Sequence, residues 1–178
     1  MVSRPSQKIK VEPPPEAQKM KVVVVGEQGV GKTSLCKQFA QGIFNSSEEK
    51  TIGSDFYSKS FKSSKGLIQY TLWDLSGDPT YIEVRNEFYK DSNVLIIVYD
   101  VTSKRSFDSI DMWLREVSKY SGESLPVVVV GNKSDLKGKR TVDKEEAEHW
   151  TKQRGFFGHY EISSQEGHGF FQLFNELA

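Results

Sequence analysis

Cysteine is almost missing from this 178-residue chain, with Cys36 standing alone. A single thiol closes no intramolecular disulfide, and no Cys or His spacing suited to zinc occurs, so a reducing compartment is expected. Net charge is missing too, since 24 Lys and Arg balance 24 Asp and Glu. That balance argues against an electrostatic binder of nucleic acid or membrane surface, and no nucleic-acid partner is expected. The longest apolar runs, at 22–25 and 94–99, are far too short to span a bilayer. No apolar signal region follows Met1, Val2 excludes N-myristoylation, and no cysteine lies in the final residues 174–178, so no lipid anchor is expected. His149, His159 and His168 show no ligand-like spacing and are expected on the surface or in loops. What remains is 37% hydrophobic and 12% aromatic content, enough for one core at this length and too much for a wholly disordered chain.

Proline is concentrated at one end, with Pro5, Pro13, Pro14 and Pro15 among the six in the chain. Residues 1–18 therefore read as a disordered, Pro-rich tail and 19–178 as one folded domain. Within that domain, short β-branched runs alternate with longer amphipathic stretches, which predicts an α/β fold around a largely parallel sheet. Strands are expected at 21–25, 56–63, 67–73, 94–100, 126–130 and 158–161. Helices are expected at 32–41, 82–89, 106–120, 144–153 and from 169 onward. Phe107, Ile110, Met112, Trp113, Leu114 and Val117 supply the apolar side of the third helix, with Ser106 as its capping residue. Ser63-Ser64-Lys65-Gly66 reads as a hairpin turn, which puts one antiparallel strand into an otherwise parallel, doubly wound, six-stranded sheet with helices on both faces. Two Val-rich strands exit at Gly26 and Gly131, and in such sheets these exits meet at the ligand-binding end.

Gly26-Glu27-Gln28-Gly29-Val30-Gly31-Lys32-Thr33 follows a strand, opens a helix and matches Gly-x-x-x-x-Gly-Lys-[Ser/Thr]. Its glycines allow successive N–H groups to curl inward, and the helix amino end adds positive potential. Gln28, Gly29, Val30, Gly31, Lys32, Thr33 and Ser34 thus form a candidate phosphate cradle, with Lys32 on the β and γ phosphates and the Thr33 hydroxyl on Mg²⁺. A tight strand-to-helix turn with a surface lysine is the plainer alternative. Asn132-Lys133-Ser134-Asp135 follows the fifth strand at the same sheet end. An Asp135 carboxylate accepts from both N1–H and N2–H₂ of guanine, whereas adenine offers no such donor pair. Trp73-Asp74-Leu75-Ser76-Gly77 ends a strand with an acid suited to Mg²⁺ and then a glycine able to approach a γ-phosphate. Thr51, in the polar stretch after the first helix, is placed to reach the same ion when a γ-phosphate holds its loop closed.

These motifs, in this order, resemble the Ras-like small GTPases, and Thr51-Ile52-Gly53-Ser54-Asp55-Phe56 is most similar to the Rab branch. Residues 83–91, Glu-Val-Arg-Asn-Glu-Phe-Tyr-Lys-Asp, resemble the segment after switch II in the J-domain-containing Rab-like (RJL) proteins. No His-Pro-Asp of a J domain occurs in the chain, and its last helix is expected to be cut short at Ala178. The resemblance implies the P-loop small GTPase fold, bound GTP or GDP with Mg²⁺, effectors that read switch I and switch II, an exchange factor and an activating protein. It also implies a monomer in the cytoplasm, with nuclear or ciliary association allowed. Phe44 is implied to pack edge-on against guanine, and Ser163-Ser164-Gln165 to form the last base-contacting loop, where the family has Ser-Ala-Lys.

The departures concern turnover. Gly77 stands where the family has glycine, but Asp78 replaces the glutamine that orients the attacking water, and Glu48 stands at the usual switch I tyrosine. A carboxylate about 5 Å from a phosphate oxygen, at an effective dielectric near 20, is repelled by about 3 kcal/mol before Mg²⁺ and Lys32 offset some of it. Gln28 adds bulk beside that position. Slow hydrolysis is therefore expected, with Asp78, Gly77 and Lys32 as the candidate catalytic groups. Two other readings remain open at this stage: a non-cycling pseudo-GTPase scaffold with permanent nucleotide, and a P-loop kinase, which the dispersed arginines Arg105, Arg115, Arg140 and Arg154 disfavour.

Overall fold

The structure is a computed structural model in which residues 16–122 and 124–178 are described. Most of the expected tail thus lies outside the described residues. The elements run β1 (Gln18–Val25), α1 (Lys32–Gln41), β2 (Ser54–Ser63), β3 (Gly66–Leu75), α2 (Ile82–Asn86), β4 (Val94–Asp100), α3 (Lys104–Asp108), α4 (Ile110–Tyr120), β5 (Val127–Asn132), α5 (Lys144–Gln153), β6 (Gly158–Glu161) and α6 (Phe170–Leu177). Short 3₁₀ turns occupy Pro79–Tyr81 and Lys137–Lys139. β1 begins at Gln18, inside the span read as tail, because its pairing with β3 starts at Gln18↔Ile68.

The six strands form one sheet in the order β2-β3-β1-β4-β5-β6. Only β2 and β3 are antiparallel, joined by the Ser63↔Gly66 hairpin. Strand order reverses at β1, so the β1 exit is the crevice in which doubly wound sheets place ligands. Side-chain alternation sorts the valines of β1 between two cores. Val22 and Val24 pack with Leu35, Cys36 and Phe39 of α1 and Leu173, Phe174 and Leu177 of α6. Val23 and Val25 pack on the other face with Phe107, Ile110, Trp113 and Val117 of α3 and α4 and Ala147 of α5. Helices therefore cover both faces.

Three sequence expectations are corrected. The third helix is two helices, capped by Ser103 rather than Ser106: the Ser103 hydroxyl accepts from Ser106 N–H at 3.3 Å, and Ser106 is buried inside the turn, donating to Ser103 O at 2.7 Å. Met112 is 51% exposed, so the apolar stripe of α4 runs through its neighbour Trp113 instead. His159 sits in β6 with its Nε2 2.8 Å from the Tyr99 hydroxyl, while Nδ1 is buried without a partner.

Burial lowers the His159 pKa to about 4, against the upward pull of the Glu161 and Glu148 charges. The unfolded chain then binds a proton that the folded chain refuses, so stability is lost as pH falls from about 6.5 toward 4. By this linkage His159 costs about 2 kcal/mol at pH 5 relative to pH 7. Urea unfolding at the two pH values should show His159→Gln losing about that much less than the natural chain; equal losses would show that His159 is protonated as readily folded as unfolded.

Candidate functional site

Gly31, the residue before α1, has φ 95°, and a Cβ there would fall 2.3 Å from Asn132 Nδ2. Only glycine allows both the left-handed turn and this approach. Lys32 is buried, and its ammonium donates to Gly26 O at 2.9 Å and Glu27 O at 2.8 Å, spanning the mouth of the loop. Burial lowers its pKa to about 8, against the pull of the Asp74 charge. Gln28, Gly29, Gly31, Lys32, Thr33 and Ser34 line a chamber of about 330 Å³ that also meets Phe44, Thr51 and Gly77. Val30 is turned into the core and contributes backbone alone.

Three oxygen donors meet beside this chamber. The Thr33 hydroxyl donates to Asp74 Oδ2 at 2.5 Å and lies 2.8 Å from the Thr51 hydroxyl, which donates to the same carboxylate oxygen at 3.1 Å. Asp74 is fully buried, and its Oδ1 has no hydrogen-bond partner. Burial raises the Asp74 pKa, partly countered by the Thr33 hydrogen bond and the Lys32 charge. A buried carboxylate with an unpaired oxygen beside two hydroxyls is the donor set that a hard divalent cation takes. The residues fit Mg²⁺.

A second cavity of about 80 Å³ adjoins the first, sharing Gly31, Ser34, Phe44 and Lys133, and is closed by Asn132, Asp135, Leu136, Ser164 and Gln165. Asn132 builds it. Its amide donates to Val30 O at 3.1 Å, while its Oδ1 accepts from Ser164 N–H at 3.2 Å and the Ser164 hydroxyl at 3.1 Å. Lys133 adopts φ 65° and reaches back to Gly29 O at 2.8 Å and the Asp100 carboxylate at 2.6 Å. Ser163 stands behind the wall, its hydroxyl donating to Asp135 Oδ1 at 2.7 Å.

Residues after α1 cover the larger chamber. Glu48 lines it and pairs with Lys37 of α1 at 2.5 Å. Ser76 N–H donates to Gly53 O at 2.9 Å, joining this cover to the segment after β3. Gly77 has no room for a side chain, since a Cβ would lie 2.6 Å from Gly26 O and 2.7 Å from Gln28 N. Asp78 does not reach the chamber wall. Its Oδ1 accepts from Thr80 N–H at 2.9 Å and the Thr80 hydroxyl at 2.6 Å, capping the Pro79–Tyr81 turn, and these bonds hold its carboxyl below the usual range. Sequence reasoning missed the Lys37–Glu48 pair, the wall residues Asn45, Ser46, Glu49 and Lys50, and the Phe56–Trp73–Phe88 aromatic row with centroids 5.3 and 4.8 Å apart. The aromatic row carries a signal, since Phe56 and Trp73 are register partners in the hairpin. Charged residues in a polar loop carry none.

The Ras family model matches residues 21–178. Human Rab-30 is 34% identical over 158 residues, covering 89% of this chain and 77% of the relative. Rab-7a of Paramecium octaurelia is 32% identical over 165 residues, covering 90% and 80%. DnaJ homolog subfamily C member 27 of Danio rerio is 37% identical over 164 residues, covering 89% of this chain and 60% of that protein, which extends the RJL likeness beyond residues 83–91. Similarity of this extent follows the whole sheet and its connections, and on it the chain belongs to the Ras family, as a Rab-like member of a family of nucleotide-binding GTPase switches.

Proposed function

We propose that this chain binds GDP and GTP with Mg²⁺, presents switch I and switch II to effectors, and turns GTP over slowly. The observation that carries this is the pair of adjoining cavities, with Lys32 and the Thr33–Thr51–Asp74 cluster at one end and Asp135 at the other. A nucleotide spans that arrangement with its base against Asp135 and its phosphates in the curl of residues 26–33. Lys32 exchanges its two carbonyl partners for phosphate oxygens, and the loop N–H groups add fixed positive ends. Thr33, Thr51 and Asp74 would hold the ion, which would supply positive charge beside the phosphates. Ser163 fixes the Asp135 carboxylate, Ser164 is held on Asn132 at the pocket wall, Gln165 and Lys133 flank the ring, and Phe44 covers its edge.

Slow turnover follows from charge and position. Asp78 stays ionised at neutral pH and spends one oxygen on the Thr80 cap, so it neither donates to nor aligns a water at the terminal phosphate. Gln28 stands beside it on the phosphate loop. An exchange factor and an activating protein then set the cycle from outside. Effectors find exposed apolar side chains in both switches, Ile52, Phe56, Ile82 and Val84, with Phe56 against the half-buried Trp73. The same Asp78 cap favours a second reading, a scaffold with permanent nucleotide that partners bind equally in either form. Among the described residues no helix is long and apolar enough to cross a membrane.

Loss of an acceptor for two donors costs about 10²- to 10⁴-fold in affinity when the bonds are charge-assisted. GDP binding by calorimetry should therefore weaken by that factor in Asp135→Ala, with ADP binding neither protein; equal GDP affinity would remove the guanine assignment. Single-turnover GTP hydrolysis with Mg²⁺ should be slow in the natural chain and faster in Asp78→Gln. If both are equally slow, Gln28 or a misaligned switch II is responsible and the scaffold reading gains; if the natural chain is already as fast as an ordinary Rab protein, the slow-cycle proposal fails.

A further inference from the structure

β4 ends on Asp100, whose register partner on β5 is Asn132, so strand pairing sets an aspartate beside the residue that follows, Lys133. Asp100 is buried, and its two oxygens serve different partners. Oδ1 accepts from the Thr102 N–H at 2.8 Å and the Thr102 hydroxyl at 2.7 Å, a local turn that fixes the plane of the carboxylate. Oδ2 is left facing the Lys133 ammonium at 2.6 Å. The backbone of Asp100 is fixed as well, since its N–H donates to the Ser106 hydroxyl at 2.9 Å and its carbonyl accepts from Ser103 N–H at 2.9 Å. Lys133 itself sits at φ 65°, in the left-handed region that a side chain disfavours. Its ammonium also donates to Gly29 O at 2.8 Å, and its side chain lines both cavities.

We propose that Asp100 is a positioning residue for nucleotide binding: it holds the Lys133 ammonium on Gly29 O, so that the phosphate loop and the wall shared by the two cavities keep one spacing, and it thereby lengthens the time a nucleotide stays bound. This rests on the reading of the two cavities as a nucleotide site. A lysine side chain has four rotatable bonds, and one neutral carbonyl holds its ammonium weakly against water. The carboxylate supplies the stronger half of the tether. The Asp100 side chain is 11% exposed and that of Lys133 34%, so the pair stands between a solvated surface ion pair and a buried one. A second tie from the same turn is of the weaker sort: Arg105 Nε stands 3.5 Å from Glu27 Oε1, but the arginine side chain is almost wholly exposed and solvent screens it. Asp100 lines neither cavity, so its effect on a bound nucleotide passes through Lys133.

Asp100→Asn keeps the shape and the acceptor for Thr102 while removing the charge, and Lys133→Met keeps the stem while removing the ammonium, so the two and their combination form a double-mutant cycle. Release of GDP in the presence of Mg²⁺ should be about tenfold faster from Asp100→Asn than from the natural chain. The same substitution made in Lys133→Met should change release by less than about twofold, because the group it positions is gone. A role in packing alone would speed release by the same factor in both backgrounds; that result overturns the proposal, as does release from Asp100→Asn within about twofold of the natural chain. Where Lys133→Met releases GDP too fast to follow, the ratio of GDP dissociation constants replaces the ratio of rates. If the natural chain binds no GDP, the proposed function fails first, and the tether is judged on amide exchange of the ligand-free proteins. Faster exchange at residues 28–31 in Asp100→Asn that is not repeated in the Lys133→Met background then supports it, and unchanged exchange, or the same rise in both backgrounds, overturns it. Should Asp100→Asn not fold, Thr102→Val, which withdraws one donor from Asp100 Oδ1 and leaves both charges in place, is read by the same cycle, with release about threefold faster expected and unchanged release overturning the proposal.

Discussion

One amide side chain joins what the sheet leaves apart. Asn132, at the end of β5, donates to the phosphate loop and accepts from the loop after β6, so three segments distant in sequence share one hydrogen-bonding group. The amide carries both donors and an acceptor, and here each side of it has a different loop. Aspartate would lose the donor to Val30 O and leucine would lose everything while keeping the volume. The glycine at position 31 exists for this contact, since any side chain would collide with the Asn132 amide. The loop of residues 26–33 and the cavity beside Asp135 are therefore a single construction, and their adjacency is a consequence of packing rather than a coincidence of two motifs.

How much of this was legible in the sequence depends on the range over which each feature is decided. α1, α5, β4 and β6 lie where local patterning placed them, because alternation and helical spacing are read within a dozen residues. The break at Ser109 was not legible: Ser103 and Ser106 are both good caps, and the choice between them is made by the Asp100 N–H bond to the Ser106 hydroxyl at 2.9 Å. His159 read as a surface residue because nothing local tells that Tyr99, on a strand two places away in the sheet, will take its Nε2. The cradle and the Asn132–Asp135 tetrad were legible because their spacing is itself the geometry. Arg85 was not, since its four bonds come from positions 76, 78 and 116 and leave no spacing to read.

Asp78 shows how one residue can look like a defect in one frame and a structural element in another. In sequence it stands where a neutral amide is useful for hydrolysis, and it reads as a loss. In the fold it is an N-cap, followed by Pro79 at the first position of the turn, a combination that stabilises a helix start. Its backbone carbonyl accepts from the Arg85 guanidinium. The segment thus gains local rigidity at the same position where it loses a water-orienting group. Glutamine there would restore the amide but cap the turn poorly, so catalytic fitness and segment rigidity are set against each other at a single side chain.

The same trade explains why the two covering segments are built from different chemistry. Residues 43–53 are tied by the partly exposed Lys37–Glu48 ion pair and by the contact between the Thr33 and Thr51 hydroxyls. Each such tie is worth little in water-accessible surroundings and is easily exchanged. The segment after β3 has the reverse, a charge buried among hydrogen-bond partners, as around Arg85. Breaking that arrangement would leave the guanidinium without solvent or counter-ion, which makes displacement of the segment costly.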